Sequence, residues 1–226
     1  MTGVSVIMIA RNGADFIASA LASVFGSRVQ PLEVLVIDGN STDATAALAA
    51  AVPGVTVVPQ RSTGIAGAYN EGVAMARGDL LAFLSHDDLW LPGKLDKQTA
   101  LMRSDPDLLY SFTLVEHFLE PGHTPPSGFR ATLLDGPVPG FLMETMMARR
   151  GAFECVGGFS DAYALGNDSD WFMRARDLGL KMAVLPEVLL RKRIHGGNTS
   201  LTHARMGHDL LTALRGSLAR RRMAGT

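Results

Sequence analysis

The sequence predicts an α/β fold: a Rossmann-like, mostly parallel central sheet flanked by helices, within a single domain. Two observations predict it. Short apolar runs rich in β-branched residues recur through the first hundred residues, and a helical apolar pattern follows most of them, as in a parallel doubly wound sheet. Hydrophobic residues make up 47% of the 226 residues against 19% charged ones, enough to fill one sizeable core, and no repeat or long linker divides the chain.

Val4 to Ala10 reads as a central strand and is broken by Asn12-Gly13. Phe16, Ile17, Ala20, Leu21 and Val24 then fall on one helical face. Glu33 to Ile37 is a second strand ending at Asp38-Gly39, with Ser41 and Asp43 as N-cap candidates for an Ala-rich helix. Val55 to Val58 is a third strand between Pro53-Gly54 and Pro59. Gly64 to Arg77 reads as a helix stopped by Gly78, and Leu80 to Leu84 as a fourth strand with Ser85-His86-Asp87-Asp88 at its carboxyl end. Pro92 is placed like a first-turn proline of a helix running to about Ser104. Further on, Leu108 to Leu119 looks like a strand and Glu120 to Gly128 like a Pro/Gly-rich loop. Phe141 to Val156 is mainly apolar, with Arg149 and Arg150 inside it. Asp168 to Leu178 is a helix, Met182 to Leu185 and Glu187 to Ile194 are strand candidates, and His203 to Arg222 is a final helix.

Composition narrows the function. The 24 Gly and 11 Pro are too scattered for a collagen-like or disordered chain. A formal net charge of −1 gives no global attraction to nucleic acid, so no nucleic-acid partner is expected. The single cysteine, Cys155, rules out an intramolecular disulfide framework and a Cys-based zinc cluster, and its apolar surroundings suggest buried filler. The opening MTGVSVIMIARNG lacks a basic leader region, and its apolar run is broken by Arg11. No stretch approaches the ~20 apolar residues of a membrane span. The expectation is a cytoplasmic protein.

Ligands of such sheets bind beyond the carboxyl ends of the strands, where Asp38 and Asp87-Asp88 lie. Adjacent carboxylates after a buried strand can hold a divalent cation that also binds phosphate oxygens, or they can shape a turn that caps the next helix. Asp38 can accept from a base or ribose, or merely form an Asp-Gly turn. Asp168 and Asp170 can N-cap their helix, or one can serve as a general base.

Motifs in order along the chain join these alternatives. VSVIMIARNG, VLVIDGNSTDAT and GIAGAYNEGVAMARGDLLAFLSHDDLWLPGKL are followed by MMARRGAFECVGGFSDAY, NDSDWFMRARDLGLKMAVLPE and RIHGGNTS. From about Val4 to Ser200 the chain resembles the inverting glycosyltransferases of family 2, with the GT-A fold. The resemblance implies a nucleotide-sugar-binding half (1–104), an acceptor and catalytic half (105–200) and a C-terminal helix (201–226). It implies a UDP-sugar donor, a saccharide, lipid-linked or other hydroxyl acceptor, and a divalent metal, Mn2+ or Mg2+. Asp38 corresponds to the carboxylate that recognises the base, Asp87 to the metal-binding member of the Asp-x-Asp motif, and Asp168 to the base that deprotonates the acceptor. His195 matches a position near diphosphate or metal, and it joins Asp87 and Asp88 as a metal candidate.

The sequence also departs from the family pattern. Ser85 stands where the first Asp of the motif is usual, and Asn167 replaces a Glu. Arg11 replaces a base-stacking Tyr and can stack or pair with phosphate. His86 can contact ribose or diphosphate, or serve as a turn residue. Trp90 and Trp171 are candidates for the acceptor cleft or for core. In the last helix Arg215, Arg220, Arg221 and Arg222 face Leu210, Leu211, Leu214 and Leu218, an amphipathic pattern that either packs on the domain or rests on the inner membrane face. The alternatives to transfer are a nucleotide-sugar-binding module without turnover and a nucleotidyltransferase. Against the latter, this chain has no Gly-rich, Arg/Lys-containing phosphate loop after the first strand, where Arg11-Asn12-Gly13 is too short.

Overall fold

A computed structural model of the chain describes residues 3–201 and 203–224. Its first half alternates strands and helices as expected: β1 (Val4–Ala10), α1 (Ile17–Val24), β2 (Glu33–Asp38), α2 (Thr45–Ala50), β3 (Val55–Pro59), α3 (Gly64–Met75) and β4 (Leu80–Ser85). Then come β5 (Leu89–Trp90), α4 (Lys94–Ser104), β6 (Tyr110–Phe118), β7 (Val138–Pro139), β8 (Met147–Arg149), α5 (Arg150–Val156), α6 (Asn167–Asp177), β9 (Met182–Arg193) and α7 (His203–Ala224). One sheet runs β3-β2-β1-β4-β8-β6-β9-β5, with β7 paired to β6. β3, β2, β1 and β4 are parallel, and so are β6 and β9. The short β8 is antiparallel to both β4 and β6 and joins the two halves.

Period-2 alternation builds a core on each face. Val4, Val6 and Met8 of β1 pack with α1 and with Leu95 and Met102 of α4. Ile7 points the other way, into a cluster with Tyr69 of α3 and the aromatic residues Phe83, Phe112, Phe153, Phe159 and Trp171. Helices therefore cover both faces, as the parallel strands require. α3 lies close on the sheet because Gly72 has no side chain: a Cβ there would sit 2.3 Å from Ile7 Cγ2.

Several expectations need correcting. Met182–Leu185 and Glu187–Ile194 are one strand, interrupted by a register shift against Thr113–Val115, where Pro186 offers no N–H to the ladder. The apolar run 141–156 divides into a 3-10 turn (Met143–Thr145), β8 and α5. Cys155 is exposed, because Ala152 and Phe153 carry the buried face of α5. Trp90 and Trp171 are both core residues. Among the described residues no helix is long and apolar enough to cross a membrane.

Candidate active site

The chain reverses direction across the sheet between β1 and β4, and a cavity of about 690 Å3 opens there, beyond the strand ends. One end is lined by Arg11 and Asn12 after β1, Gly39 after β2, Gln60 after β3, and Gly64, Ile65 and Ala68 of α3. The middle is formed by Ser85, His86 and Asp87 after β4, with Lys192, His195 and Asn198 opposite. The far end is closed by Leu142 to Glu144 and Leu165 to Asp168.

The loops at the first end are held by side chains. Asp38 accepts the Ser41 N–H (3.1 Å) and hydroxyl (2.6 Å), and Ser41 Oγ accepts the Asn12 N–H at 2.9 Å. Asp38 is thus spent on tying the β2 loop to the β1 loop, and its neighbours Ile37 and Gly39 rather than its own carboxylate line the cavity. Asp43 accepts the Thr45 N–H and hydroxyl just ahead of α2, but the N-cap position is Ala44 and carries no side-chain cap bond, so neither N-cap candidate holds that position, and Ser41 serves Asp38 instead. Gly13 lets the His86 ring lie against the β1 loop, since a Cβ there would be 1.9 Å from His86 Cδ2.

In the middle, Asp87 Oδ2 lies 3.1 Å from His195 Nε2 and accepts the Asn198 amide at 3.2 Å. Burial alone would raise the Asp87 carboxyl, but the His195 hydrogen bond and the Lys192 ammonium outweigh it and hold the group well below the usual carboxylate range. A carboxylate oxygen and an imidazole nitrogen that converge on one cavity wall suit a divalent cation. Among the described residues no group of three His, Cys, Asp or Glu side chains is placed to hold one. The donor set fits an ion that completes its shell with phosphate oxygens and water.

Asp88 leaves the metal set. It is fully buried, accepts the Lys192 ammonium at 2.8 Å on Oδ2 and the Arg193 N–H at 2.9 Å on Oδ1, and does not line the cavity. It caps no helix either, since α4 begins after Gly93 with no side-chain cap. Both its carboxylate oxygens are engaged by Lys192 and the Arg193 backbone, so Asp88 does not share an ion with Asp87 here. Asp88 and Glu144 keep the Lys192 ammonium protonated despite its burial.

At the far end Asp168 lines the cavity from the first turn of α6, accepting the Ser169 N–H at 2.6 Å. Burial raises its carboxyl to about 6, the Ser169 bond opposes the rise, and the nearby Glu144 charge adds to it. Asp170, by contrast, is buried in an ion pair with Arg174 at 2.8 Å, and Arg174 also binds the carbonyls of Val156 and Gly158. α7 braces this end, because Asp209 accepts the Leu165 N–H at 2.9 Å.

The structure therefore brings Arg11, His86, Asp87, His195 and Asp168 to one cavity, keeps Asp38 behind its wall and turns Asp88 away. It adds Glu144, Lys192 and Asn198, which the sequence reading missed. A carboxylate set between Met143 and Thr145 inside the apolar run 141–156, which also holds Glu154, was the available signal for Glu144.

The model of the family described as Glycosyl transferase family 2 matches residues 5–160. An uncharacterized protein of Mycobacterium tuberculosis is 28% identical over 208 residues, 85% of this chain, and the chain spans only 59% of that relative's length. Among solved structures, the mannosyltransferase PcManGT from Pyrobaculum calidifontis, in complex with GDP-Man and Mn2+, superposes with a TM-score of 0.73 at 18% identity, covering 96% of this chain and 64% of that one. Residues 1–349 of TarS from S. aureus, in complex with UDP-GlcNAc, give 0.72 at 16% identity, with coverages of 96% and 66%. These likenesses establish the fold, which is GT-A.

Proposed function

The chain belongs to glycosyltransferase family 2, and on that premise we propose that it is a metal-dependent, inverting hexosyltransferase acting on a nucleotide-diphosphate sugar, with UDP as the nucleotide. The observation that carries this reading is one cavity holding a pocket-facing carboxylate of raised proton affinity, Asp168, at one end and the Asp87–His195 pair in its middle. Residues 1–104 supply the nucleotide end, where Arg11 stacks on the base or pairs with phosphate and His86 meets ribose or diphosphate. Asp38 acts there through Ser41, as a positioning residue for the base. Residues 105–200 supply the sugar and acceptor end. The structures of PcManGT with GDP-Man and Mn2+ and of TarS with UDP-GlcNAc support the donor class and the use of a cation.

Asp168 takes the acceptor hydroxyl proton as that oxygen attacks the anomeric carbon. The bond from that carbon to the diphosphate oxygen breaks on the opposite face, so the anomeric configuration inverts and the nucleoside diphosphate leaves with the bonding electrons. Asp87 and His195 would hold Mn2+ or Mg2+, which would neutralise negative charge on the departing diphosphate. Lys192 adds a fixed positive charge to the same wall. Arg11 and Lys192 against Asp87, Glu144 and Asp168 leave the lined wall one negative charge in excess if its histidines are neutral, so a diphosphate there calls for a cation.

The acceptor is a saccharide, a lipid-linked sugar or another hydroxyl compound. Leu211, Leu214 and Leu218 of α7 are 57%, 44% and 54% exposed, beside exposed Arg215 and Arg222. That outward apolar face with flanking cations supports peripheral contact with the inner membrane surface.

Incubation with UDP- and GDP-sugars, Mn2+ and a panel of hydroxyl acceptors tests the proposal. Release of nucleoside diphosphate with a product of inverted anomeric configuration is expected. Pyrophosphate release would instead indicate a nucleotidyltransferase, and binding without turnover a nucleotide-sugar-binding module.

A further inference from the structure

Glu144 is the carboxylate in this cavity that the reaction above leaves without a task. Its side chain is 11% exposed and lines the far end, between the β4 terminus and Asp168. Ser85 Oγ donates to Oε1 at 2.5 Å, and Lys192 Nζ stands 4.0 Å from the same oxygen. No hydrogen bond reaches Oε2 among the described residues. One oxygen is fixed by Ser85, and the other is left as an acceptor open to the cavity, where a ligand can reach it.

The segment carrying Glu144 is pinned to a degree that suits recognition. Trp90 Nε1 donates to the Glu144 carbonyl at 2.9 Å, and Gln98 Nε2 donates to the Thr145 carbonyl at 3.0 Å, joined there by the Lys94 ammonium at 3.3 Å. The single Thr145 hydroxyl proton is shared between the carbonyls of Gly140 and, at 2.9 Å, Leu142. Trp90, Lys94, Gln98 and Thr145 are all buried. Rotamer and backbone are therefore set before any ligand arrives.

Position identifies the ligand group. Ser85 is two residues from Asp87 on the same strand end, so Glu144 lies just beyond the diphosphate site and on the side of Asp168. The part of a nucleotide sugar that follows the diphosphate is its sugar ring, whose polar groups are mainly hydroxyls, and hydroxyls donate to carboxylates. We propose that Glu144, held by Ser85, accepts hydrogen bonds from hydroxyls of the donor sugar and selects among donor sugars by their placement. A site built to receive a hydroxyl discriminates strongly against a sugar that presents it elsewhere, because the carboxylate is then left unpaired. This inference rests on the glycosyltransferase reading.

The test compares two ligands on each protein in the presence of Mn2+: the nucleoside diphosphate alone, and the nucleotide sugar that binds the parent best among UDP-glucose, UDP-galactose, UDP-N-acetylglucosamine and GDP-mannose. In Glu144→Gln, which keeps the shape and an oxygen for Ser85, affinity for the nucleotide sugar should fall ~10–100-fold. Affinity for the diphosphate alone should hold or rise, since a negative charge has left the cavity. The parent's preference among the sugars should narrow as well. An equal fall for both ligands, or an unchanged sugar preference, overturns the inference. If Glu144→Gln does not fold, Ser85→Ala decides: a several-fold loss confined to the nucleotide sugar is expected, and no loss overturns it. A parent that binds none of the four nucleotide sugars overturns the glycosyltransferase reading itself, so the two failures are separate.

Discussion

Burial that raises a carboxyl's proton affinity makes its ionised form costly to the fold, and Asp168 is such a group. Its folded-state value of about 6 lies above the ordinary 3.8, so the fold binds the proton more tightly than the unfolded chain does. The cost is absent below the ordinary value, where both states are protonated, and complete above about 6, where it is on the order of 1–3 kcal/mol. Asp168→Asn should remove it. The variant should melt several degrees higher than the parent at pH 7.5, less what is lost in the first turn of α6, and the gain should vanish as the pH falls towards 4. Transfer should drop roughly 10²–10⁴-fold while nucleotide affinity stays within a few-fold, and the parent's rate should rise with pH through about 6. A melting temperature that falls, with transfer retained, would make Asp168 a structural residue. The neighbouring aspartates after β4 should separate in the opposite sense. Asp87→Asn should weaken Mn2+-dependent nucleotide binding by about tenfold or more through loss of a charged ligand, and it should also lower the melting temperature, because the lowered proton affinity of Asp87 means that its ionised form favours the fold. Asp88→Ala strands the buried Lys192 charge and should cost about 3–5 kcal/mol, read as a fall in melting temperature. Equal effects of the two changes on binding would mean that both serve the site.

The last helix illustrates how an element's pattern is legible before its orientation is. Sequence spacing gives α7 a leucine face and an arginine face, yet it does not say which face meets the domain. The structure turns Ala213, Ser217 and Asp209 inward. Asp177 at the end of α6 accepts the Ser217 hydroxyl at 2.8 Å and pairs with Arg220 and Arg221. The leucines are left outside because small and polar side chains bring the two helices close. If that face meets a membrane, the protein should co-sediment with vesicles rich in anionic phospholipid, and replacing Leu211, Leu214 and Leu218 by Ser should abolish this with melting temperature unchanged. Equal binding to neutral vesicles, or none to either, assigns the face elsewhere. β9 is the converse case. Pro186 reads as a strand break in the sequence, but pairing with β6 on both sides of the proline carries one strand across it.

At the scale of the whole molecule, the cavity draws on loops that are far apart in the chain and close only because the sheet order reverses between β1 and β4. A ligand that binds only the folded form stabilises it, so nucleoside diphosphate with Mn2+ should raise the melting temperature more than either alone. UDP should give the larger shift when set beside GDP and CDP. A nucleotide shift indifferent to Mn2+ would remove the cation from the donor site. By itself the sequence determined the parallel first half, its helices, the strand-end positions of Asp38 and Asp87 and the helix-start position of Asp168, because these follow from short-range periodicity and turn residues. The ordered motifs also determined the family. Only the tertiary structure decided which carboxylates share a cavity. It set Asp87 on His195, buried Asp88 against Lys192 and tied Asp38 to Ser41. It also carried Glu144, from an apolar run some sixty residues downstream, to the hydroxyl of Ser85. Burial and partners of a side chain depend on residues brought together by strand pairing, and sequence spacing does not encode them.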